Sequence, residues 1–248
     1  MRMQEVAVQS YCFRGFKDNR QTAQKVKDIG LEAIELCGVH VDFGNAAVFD
    51  EALKIYRDAG VRIVSIGVQG FSGNEARERL YFEFATKAGA TTISANFSPD
   101  TVPNSYRVAE KLADEYNINL AIHNHGGRHW LGNAEMLRSV FAQTSPRIGL
   151  MLDTAWALDA GEDPVGMADK FAQRLYGVHL KDFTFDRARK HKDVVVGTGN
   201  LDLKKLFATL RKNDFKGQLI LEYEGDVDHP VPALSECVGN IRKELTHG

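Results

Sequence analysis

Cysteine is scarce in this sequence of 248 residues: Cys12, Cys37 and Cys237 are odd in number and far apart. A secreted disulfide framework usually needs an even set of cysteines, so this class of protein is excluded. An excess of positive charge is also missing, since 31 Lys and Arg residues stand against 33 Asp and Glu residues. Nucleic-acid binders usually carry a basic excess or a basic stripe. We therefore expect no nucleic-acid partner.

Long apolar runs are absent as well. No segment approaches the roughly 20 apolar residues of a membrane span. The first five residues lack the apolar core and the small-residue cleavage site of a signal peptide. These absences predict a cytoplasmic protein with no membrane partner. The composition, 44% apolar and 26% charged, is that of an ordinary globular protein. A chain of this length can form a core that is stable without disulfides or a structural metal.

A repeated unit organises the chain. A polar helix end, a Gly or Asn and an apolar strand recur about every 30 residues, at Gly30, Gly60, Gly89 and Asn117. Helices often end at a left-handed residue, a conformation that Gly adopts freely and Asn at small cost. Segments between these positions carry apolar residues at helical spacing, as in residues 49–56. We therefore predict amphipathic helices that pack against a sheet.

Short apolar segments alternate with these helices, as expected of parallel strands that are covered on both faces. We predict strands at 5–11, 32–38, 62–68, 91–97, 119–125, 148–153, 175–182 and 218–224. Eight strand–helix units predict a (β/α)8 TIM barrel that forms a single domain over residues 1–248. A doubly wound sheet is the alternative, but the glycine-rich run at 194–199 lacks the third glycine of a dinucleotide fingerprint. A turn before a helix capped by Asn200 or Asp202 suits that run better.

Ionisable residues end four consecutive predicted strands. They are His123 and His125 on the fifth, Asp153 on the sixth, His179 and Lys181 on the seventh, and Glu222 and Glu224 on the eighth. In a barrel these strand ends carry the chemistry, and buried charges that face one axis are costly unless they are paired or bound to a metal. A lone His at a strand end is more often structural, but several convergent ligand types favour a metal site.

We predict one divalent cation bound by His123, Asp153, His179 and Glu222. Two imidazoles and two carboxylates suit Mn, Zn, Co or Fe better than Ca, and Mg is a further candidate. His125 is the alternative to His123, because residues two apart on a strand share a face.

Substrate contacts are expected one layer nearer the mouth of the barrel. His125, Lys181 and Glu224 follow the predicted ligands by two residues, although a solvated salt bridge at the rim is the alternative for Lys181 and Glu224. Trp156 and Trp130 lie on the loops that follow, where an aromatic face suits a sugar ring or simply caps the barrel.

Three residues on the first strands are harder to interpret. Glu35 ends the second strand, where it contacts substrate or pairs with a neighbouring strand. Cys12 and Cys37 are predicted to fill the core, because the sequence indicates no ordered His partner for a nucleophile. The charged run at 186–192 is typical of a solvated loop.

Taken together, these motifs resemble the xylose isomerase-like barrels known as sugar-phosphate isomerases/epimerases. The resemblance covers nearly the whole chain and rests on residues 152–156, 160–164, 178–182, 197–202 and 219–222. It implies a metal held by Glu, Asp, His and Glu from strands five to eight, which correspond here to His123, Asp153, His179 and Glu222. His123 thus replaces the first glutamate of the family. As a metal ligand, an imidazole has no lone pair left to take a proton, so the two-glutamate epimerisation mechanism does not carry over.

Our leading prediction is a metal-dependent isomerase or epimerase that acts on a keto- or aldo-sugar or a related polyol through an enediolate. Glu222 would be the base, and His125, Lys181 or water would return the proton. The alternative is a lyase or dehydratase that expels a β-substituent from a keto-sugar, for which acid/base groups on one face suffice. Metal-dependent hydrolysis is less favoured, because the His-x-His of amidohydrolase barrels lies on the first strand.

A sugar-binding module without catalysis would bind its ligand without turnover. The expected partner in every case is a small-molecule sugar or polyol. Homo-oligomers are compatible with such a barrel, but nothing in the predicted helices marks an interface.

Overall fold

The computed structural model describes residues 5–127 and 129–246. Within these residues, eight parallel strands close into a barrel. They are Val6–Gln9 (β1), Ala33–Leu36 (β2), Arg62–Phe71 (β3), Thr92–Phe97 (β4), Asn119–His123 (β5), Ile148–Asp153 (β6), Leu175–Leu180 (β7) and Gln218–Leu221 (β10), with two further strands, Asp182–Phe185 (β8) and His191–Val194 (β9), outside the barrel. Neighbouring barrel strands follow the order β1-β10-β7-β6-β5-β4-β3-β2. The predicted single-domain TIM barrel is confirmed. Residues 1–4 and 247–248, which the predicted domain and the leader-peptide argument include, lie outside the described residues.

Helices follow the strands and cover the barrel. They are Asn19–Asp28 (α1), Phe49–Asp58 (α2), Glu75–Ala88 (α3), Asn104–Tyr116 (α4), Ala134–Gln143 (α5), Thr154–Asp159 (α6), Pro164–Lys170 (α7), Leu203–Lys212 (α8) and Val231–Thr246 (α9). Gly30, Gly60, Gly89 and Asn117 have φ angles of 74°, 67°, 75° and 52°, so the predicted left-handed helix ends are confirmed. Asp202 accepts a hydrogen bond from the Lys205 N–H and begins α8, as the capping argument expected.

A β-hairpin interrupts the repeat between β7 and α8. Its strands are Asp182–Phe185 (β8) and His191–Val194 (β9), which pair antiparallel and are separate from the barrel. The expectation of a solvated loop over 186–192 is therefore wrong in part, because the run ends in a strand. Period-two apolar patterning cannot show that a strand leaves its sheet, and for this reason the predicted seventh strand is two residues too long.

The interior of the barrel is layered. One apolar layer consists of Ala7, Ala33, Val64, Ala121, Met151 and Ile220, which pack together. Gly177 keeps this layer compact, since a Cβ there would lie 2.4 Å from the Met151 sulfur. Two residues further along five of the strands, at Gln9, Glu35, His123, Asp153 and Glu222, the buried side chains are polar. Because side chains two apart on a strand share a face, this polar layer lies directly on the apolar one.

Outside the barrel, a large apolar cluster joins the strands to the helices. In the described part of the chain, no helix combines the length and the apolar character needed to cross a membrane.

Candidate metal centre and substrate cavity

Four of the predicted residues meet at the carboxyl ends of adjacent strands. His123 and Asp153 are the last residues of β5 and β6, His179 is the last but one of β7, and Glu222 follows β10. Each offers one ligand atom, and these atoms all lie within 4.8 Å of one another. All four side chains are buried, with at most 7% of any residue exposed. His125 is outside the cluster, so His123 is the residue of the fifth strand that joins it.

The distances within the cluster suit one divalent cation. His123 Nε2 lies 3.0 Å from His179 Nδ1 and 3.4 Å from Asp153 Oδ2, and His179 Nδ1 lies 2.7 Å from Glu222 Oε2. Metal–ligand bonds of about 2.0–2.2 Å place neighbouring ligand atoms about 2.8–3.6 Å apart. Asp153 Oδ2 is buried and accepts no hydrogen bond within the described residues, which is costly for a carboxylate unless a cation contacts it.

Positive charge next to the cluster keeps Glu222 ionised. Burial alone would raise the pKa of Glu222, but Lys181 and His179 hold it well below its usual range. Burial likewise opposes the charge of His179, yet Glu35 and Glu222 raise its pKa to about 10. A proton on His179 thus compensates the carboxylates, and a metal ion would supply the same compensation with two charges.

Lys181 takes a different position from the one predicted. Its side chain is fully buried, its Nζ lies 4.0 Å from Glu222 Oε1 and in contact with Glu224, and the Trp156 ring centroid is 5.1 Å away. Although burial opposes its charge, Glu222, Asp153 and Glu224 raise the pKa of Lys181 above its usual range. The alternative of a solvated salt bridge at the rim is wrong in one respect, because the ammonium group is sequestered from water by the side chains around it.

Glu35 is fully buried next to His179. Its Oε1 lies 2.9 Å from His179 Nε2, and its Oε2 accepts a hydrogen bond from Ser94 Oγ at 2.6 Å. Burial raises the pKa of Glu35, but the His179 charge and the hydrogen bonds outweigh this effect and lower it. Of the two expectations for Glu35, the structure places it in contact with other strands.

A cavity of about 460 Å³ opens beside the cluster. It is lined by Gln9, Tyr11, Cys37, Gly38, Val39, Gly67, Val68, His123, His125, Trp156, Glu222 and Glu224. His125, Trp156 and Glu224 therefore lie where substrate contacts were expected. The first three strands supply the residues that sequence reasoning missed. The sequence does mark Gln9, since it is a polar residue two positions beyond an alanine of the same apolar strand and therefore shares that face.

Cys37 lines this cavity and does have an ordered His partner, so the sequence argument against one is wrong. Its Sγ lies 3.8 Å from His40 Nδ1 and accepts a hydrogen bond from Ser10 Oγ at 3.2 Å. Burial raises the pKa of the Cys37 thiol, which keeps it protonated. Cys12 is buried in the core as predicted.

The two tryptophans have different surroundings. Trp130 is half-buried against the core, and its Nε1 donates to the Phe97 carbonyl at 2.9 Å, so it caps the barrel. Trp156 borders the cavity and contacts the hairpin edge-on, with ring centroids 5.1 Å from both Phe183 and His191. His191 also pairs with Asp159 at 3.0 Å, which ties the hairpin to the end of α6.

Comparison with known proteins agrees with this architecture. Residues 23–243 match the family described as Xylose isomerase-like TIM barrel, and the chain belongs to this family. An inosose dehydratase of Geobacillus kaustophilus is 32% identical over 226 residues, which cover 83% of this chain and 72% of that protein. The rhizopine catabolism protein MocC of Rhizobium meliloti is 30% identical over 147 residues, which cover 54% of this chain and 45% of MocC. Across several curated relatives, this chain spans only about half of their length.

Solved structures share the fold at low sequence identity. The probable 3-DHS dehydratase AsbF of Bacillus anthracis has a TM-score of 0.75 at 15% identity, with 96% of this chain and 99% of that chain covered. The 3-keto-D-glucoside 4-epimerase YcjR of E. coli has a TM-score of 0.74 at 15% identity, with 97% and 99% covered. A Mycobacterium smegmatis protein solved in complex with magnesium has a TM-score of 0.77 at 16% identity, with 92% and 88% covered.

Proposed function

We propose that this protein is a metal-dependent lyase that removes water from a keto-polyol or a keto-sugar. The observation that carries the proposal is the placement of acid/base groups. The two carboxylates that line the cavity, Glu222 and Glu224, both follow β10. The fifth-strand segment contributes two imidazoles, His123, which is an expected ligand, and His125, whose pKa burial lowers to about 3, so that it is a weak base. Epimerisation needs acid/base groups on both faces of the substrate, whereas elimination needs them on one face only. The dehydratase alternative of the sequence analysis is thus preferred to the isomerase.

The relatives support the same choice. The inosose dehydratase named above is similar over most of this chain, and its name describes the loss of water from a keto-polyol. The cavity agrees with an uncharged substrate, because its lining within the described residues contains carboxylates and imidazoles but no Lys or Arg side chain. The face of Trp156 would pack on the C–H groups of a sugar or cyclitol ring.

A bound divalent cation, held by His123, Asp153, His179 and Glu222, would act as a Lewis acid on the substrate carbonyl. Glu222 is ionised and borders the cavity, so it accepts the proton from the carbon next to the carbonyl. It then donates this proton to the departing β-hydroxyl group on the same face. A C–H and a C–O bond break, a C=C bond forms, and one water leaves.

The other residues near the cluster would bind the substrate or position Glu222 and Glu224. His125, Trp156 and Glu224 line the cavity and would contact the substrate. Lys181 is fully buried and not part of the cavity lining, so we assign it a positioning role on Glu222 and Glu224 rather than proton transfer.

The test is an incubation of the manganese-loaded protein with unphosphorylated keto-cyclitols and keto-sugars, followed by mass spectrometry. We expect a product that has lost one water. We expect Glu222→Gln to lower the rate by about 10²- to 10⁴-fold, as for the loss of a general base. Glu224→Gln is the matched control and should affect KM more than kcat. The metal content of each variant is measured in parallel, because Glu222 is also an expected ligand.

A product of unchanged mass would instead establish the isomerase, and ligand binding with no product would establish a binding module. Either result overturns the dehydratase.

A further inference from the structure

Strands that provide none of the expected metal ligands contribute a buried polar network that reaches the metal centre. It consists of Gln9 on β1, Glu35 on β2 and Ser94 on β4. From this network we infer that Glu35 is a positioning residue that orients the His179 imidazole, so that Nδ1 rather than Nε2 binds the metal. The inference rests on the metal centre of the proposed function.

The His179 ring lies between two carboxylates. Its Nε2 is 2.9 Å from Glu35 Oε1, and its Nδ1 is 2.7 Å from Glu222 Oε2 and 3.0 Å from His123 Nε2. An ionised carboxylate only accepts hydrogen bonds, so Nε2 must donate to Glu35. Without a metal, Nδ1 likewise donates to Glu222 and the ring is charged. A cation that replaced the Nδ1 proton would find the lone pair on Nδ1, the nitrogen that lies close to the ligand atoms of Glu222 and His123.

Glu35 itself is held in place from both sides. Gln9 Nε2 donates to its Oε1 at 2.5 Å, and Ser94 Oγ donates to its Oε2 at 2.6 Å. Gln9 is fixed in turn, because its Nε2 also reaches the Gly67 carbonyl at 3.3 Å while its Oε1 accepts from the Tyr11 N–H at 3.1 Å. Each of these contacts has one consistent direction of donation. The carboxylate is therefore oriented toward His179 before any metal arrives.

Such an arrangement has a measurable consequence. A carboxylate that accepts from the far nitrogen of a ligand imidazole fixes the ring and makes the near nitrogen a better donor to the metal. Removal of such a partner typically weakens metal affinity by about 10- to 100-fold. Ser94 offers a matched control, since its hydroxyl donates to the other oxygen of the same carboxylate, the one that does not face His179.

The experiment uses the full chain, stripped of metal with a chelator and titrated with ZnCl₂ by calorimetry. Histidine labelled with ¹⁵N then shows, in the zinc-loaded wild type, which His179 nitrogen binds zinc and which carries hydrogen. We expect zinc on Nδ1 and hydrogen on Nε2. We expect Glu35→Gln, which keeps the shape but removes the charge, to weaken zinc binding by about 10-fold or more. Ser94→Ala should stay within about threefold of the wild type.

Zinc on Nε2 of the wild type would overturn the inference, and this measurement needs no variant to fold. Unchanged affinity in Glu35→Gln, or an equal loss in Ser94→Ala, would also overturn it, because the network would then be merely structural. A wild-type protein that binds no zinc would refute the metal centre and this inference together. Zinc bound as expected without any dehydration would refute only the proposed reaction.

Discussion

A buried residue whose pKa differs between the folded and unfolded states makes the free energy of unfolding depend on pH. His40 is an example outside the set of expected ligands. Its Nε2 lies 2.9 Å from the Phe16 carbonyl, to which it donates, and it is only 7% exposed. Burial lowers the pKa of His40, so the folded protein holds it neutral.

A stability change with pH follows for His40. In the unfolded chain a His has a pKa of about 6.5. Since the folded-state pKa is lower, the unfolded state binds more protons below that pH, and the free energy of unfolding falls as the pH falls. The contribution of His40 is complete above about pH 6.5 and is lost below it, with a slope of at most about 1.4 kcal/mol per pH unit.

The measurement is urea unfolding of the wild type and His40→Gln at a series of pH values on both sides of this pKa. The variant keeps an N–H donor for Phe16 but does not titrate, so its stability should change less steeply. Equal slopes in the two proteins would contradict the assignment.

How far the sequence predicts the site also depends on the residue. His123, Asp153, His179 and Glu222 were found because each is the ionisable residue at the end of an apolar strand, which is a local signal. The contacts of Glu35 with His179 and of Cys37 with His40 were not, because they depend on how the chain meets itself in space. No pattern along β2 shows that the seventh strand lies opposite.

At the level of elements, helix ends can be predicted from the local sequence, whereas strand ends cannot. The left-handed residues that end the helices follow from steric freedom, a property of Gly and Asn that the sequence displays. Strand ends depend less on the nearby sequence than helix ends do. β5 and β10 stop at His123 and Leu221, before the predicted ends at 125 and 224. The last residues of those segments leave the ladder to border the cavity, and polar alternation continues past that point.

Two glycines test the conformational argument. Gly60 has a φ of 67°, so Gly60→Ala should destabilise the protein by about 1–2 kcal/mol. Gly239 lies inside α9 with open space where a Cβ would be, so Gly239→Ala should stabilise it by up to about 1 kcal/mol. Urea unfolding of both variants gives the two signs. A shift in the same direction for both would argue against backbone conformation as the cause.

The β8–β9 hairpin makes a second prediction at this level. The His191 ring stacks on Phe183 at 4.4 Å and meets Trp156 edge-on. His191→Ala should therefore cost about 1 kcal/mol of stability and loosen Trp156. In a Trp130→Phe background Trp156 is the single tryptophan. With excitation selective for tryptophan, its quenching by acrylamide should increase. The exposed His229→Ala is the control, and the same quenching in both variants would show that the hairpin does not hold the indole.

In the molecule as a whole, the polar layer of the barrel interior, with its charged side chains, lies directly on the apolar layer. Without a cation, three fully or nearly buried carboxylates (Glu35, Asp153 and Glu222) depend on the neighbouring imidazoles and on Lys181 for compensation. Anything that binds only the folded state stabilises it. We therefore expect metal binding at this cluster to increase the global stability.

Addition of Mn²⁺ at about 100 times its dissociation constant should raise the free energy of unfolding by about 2.7 kcal/mol. Excess chelator should reverse the gain, and Asp153→Asn should reduce it. Asp50→Asn, which alters an exposed carboxylate paired with Lys87, should keep it. The measurement is thermal unfolding with and without metal. A melting temperature that is unchanged by both metal and chelator would disprove the linkage.

The hairpin between β7 and α8 has one more consequence, for protein engineering. It adds no strand to the barrel and none of the four expected ligands, yet it supports the aromatic wall of the cavity through Phe183 and His191. The four expected ligands and the support of Trp156 thus lie on different segments of the chain. Under the proposed function, we expect hairpins of different length or sequence to change which ring fits the cavity while the four expected ligands stay the same.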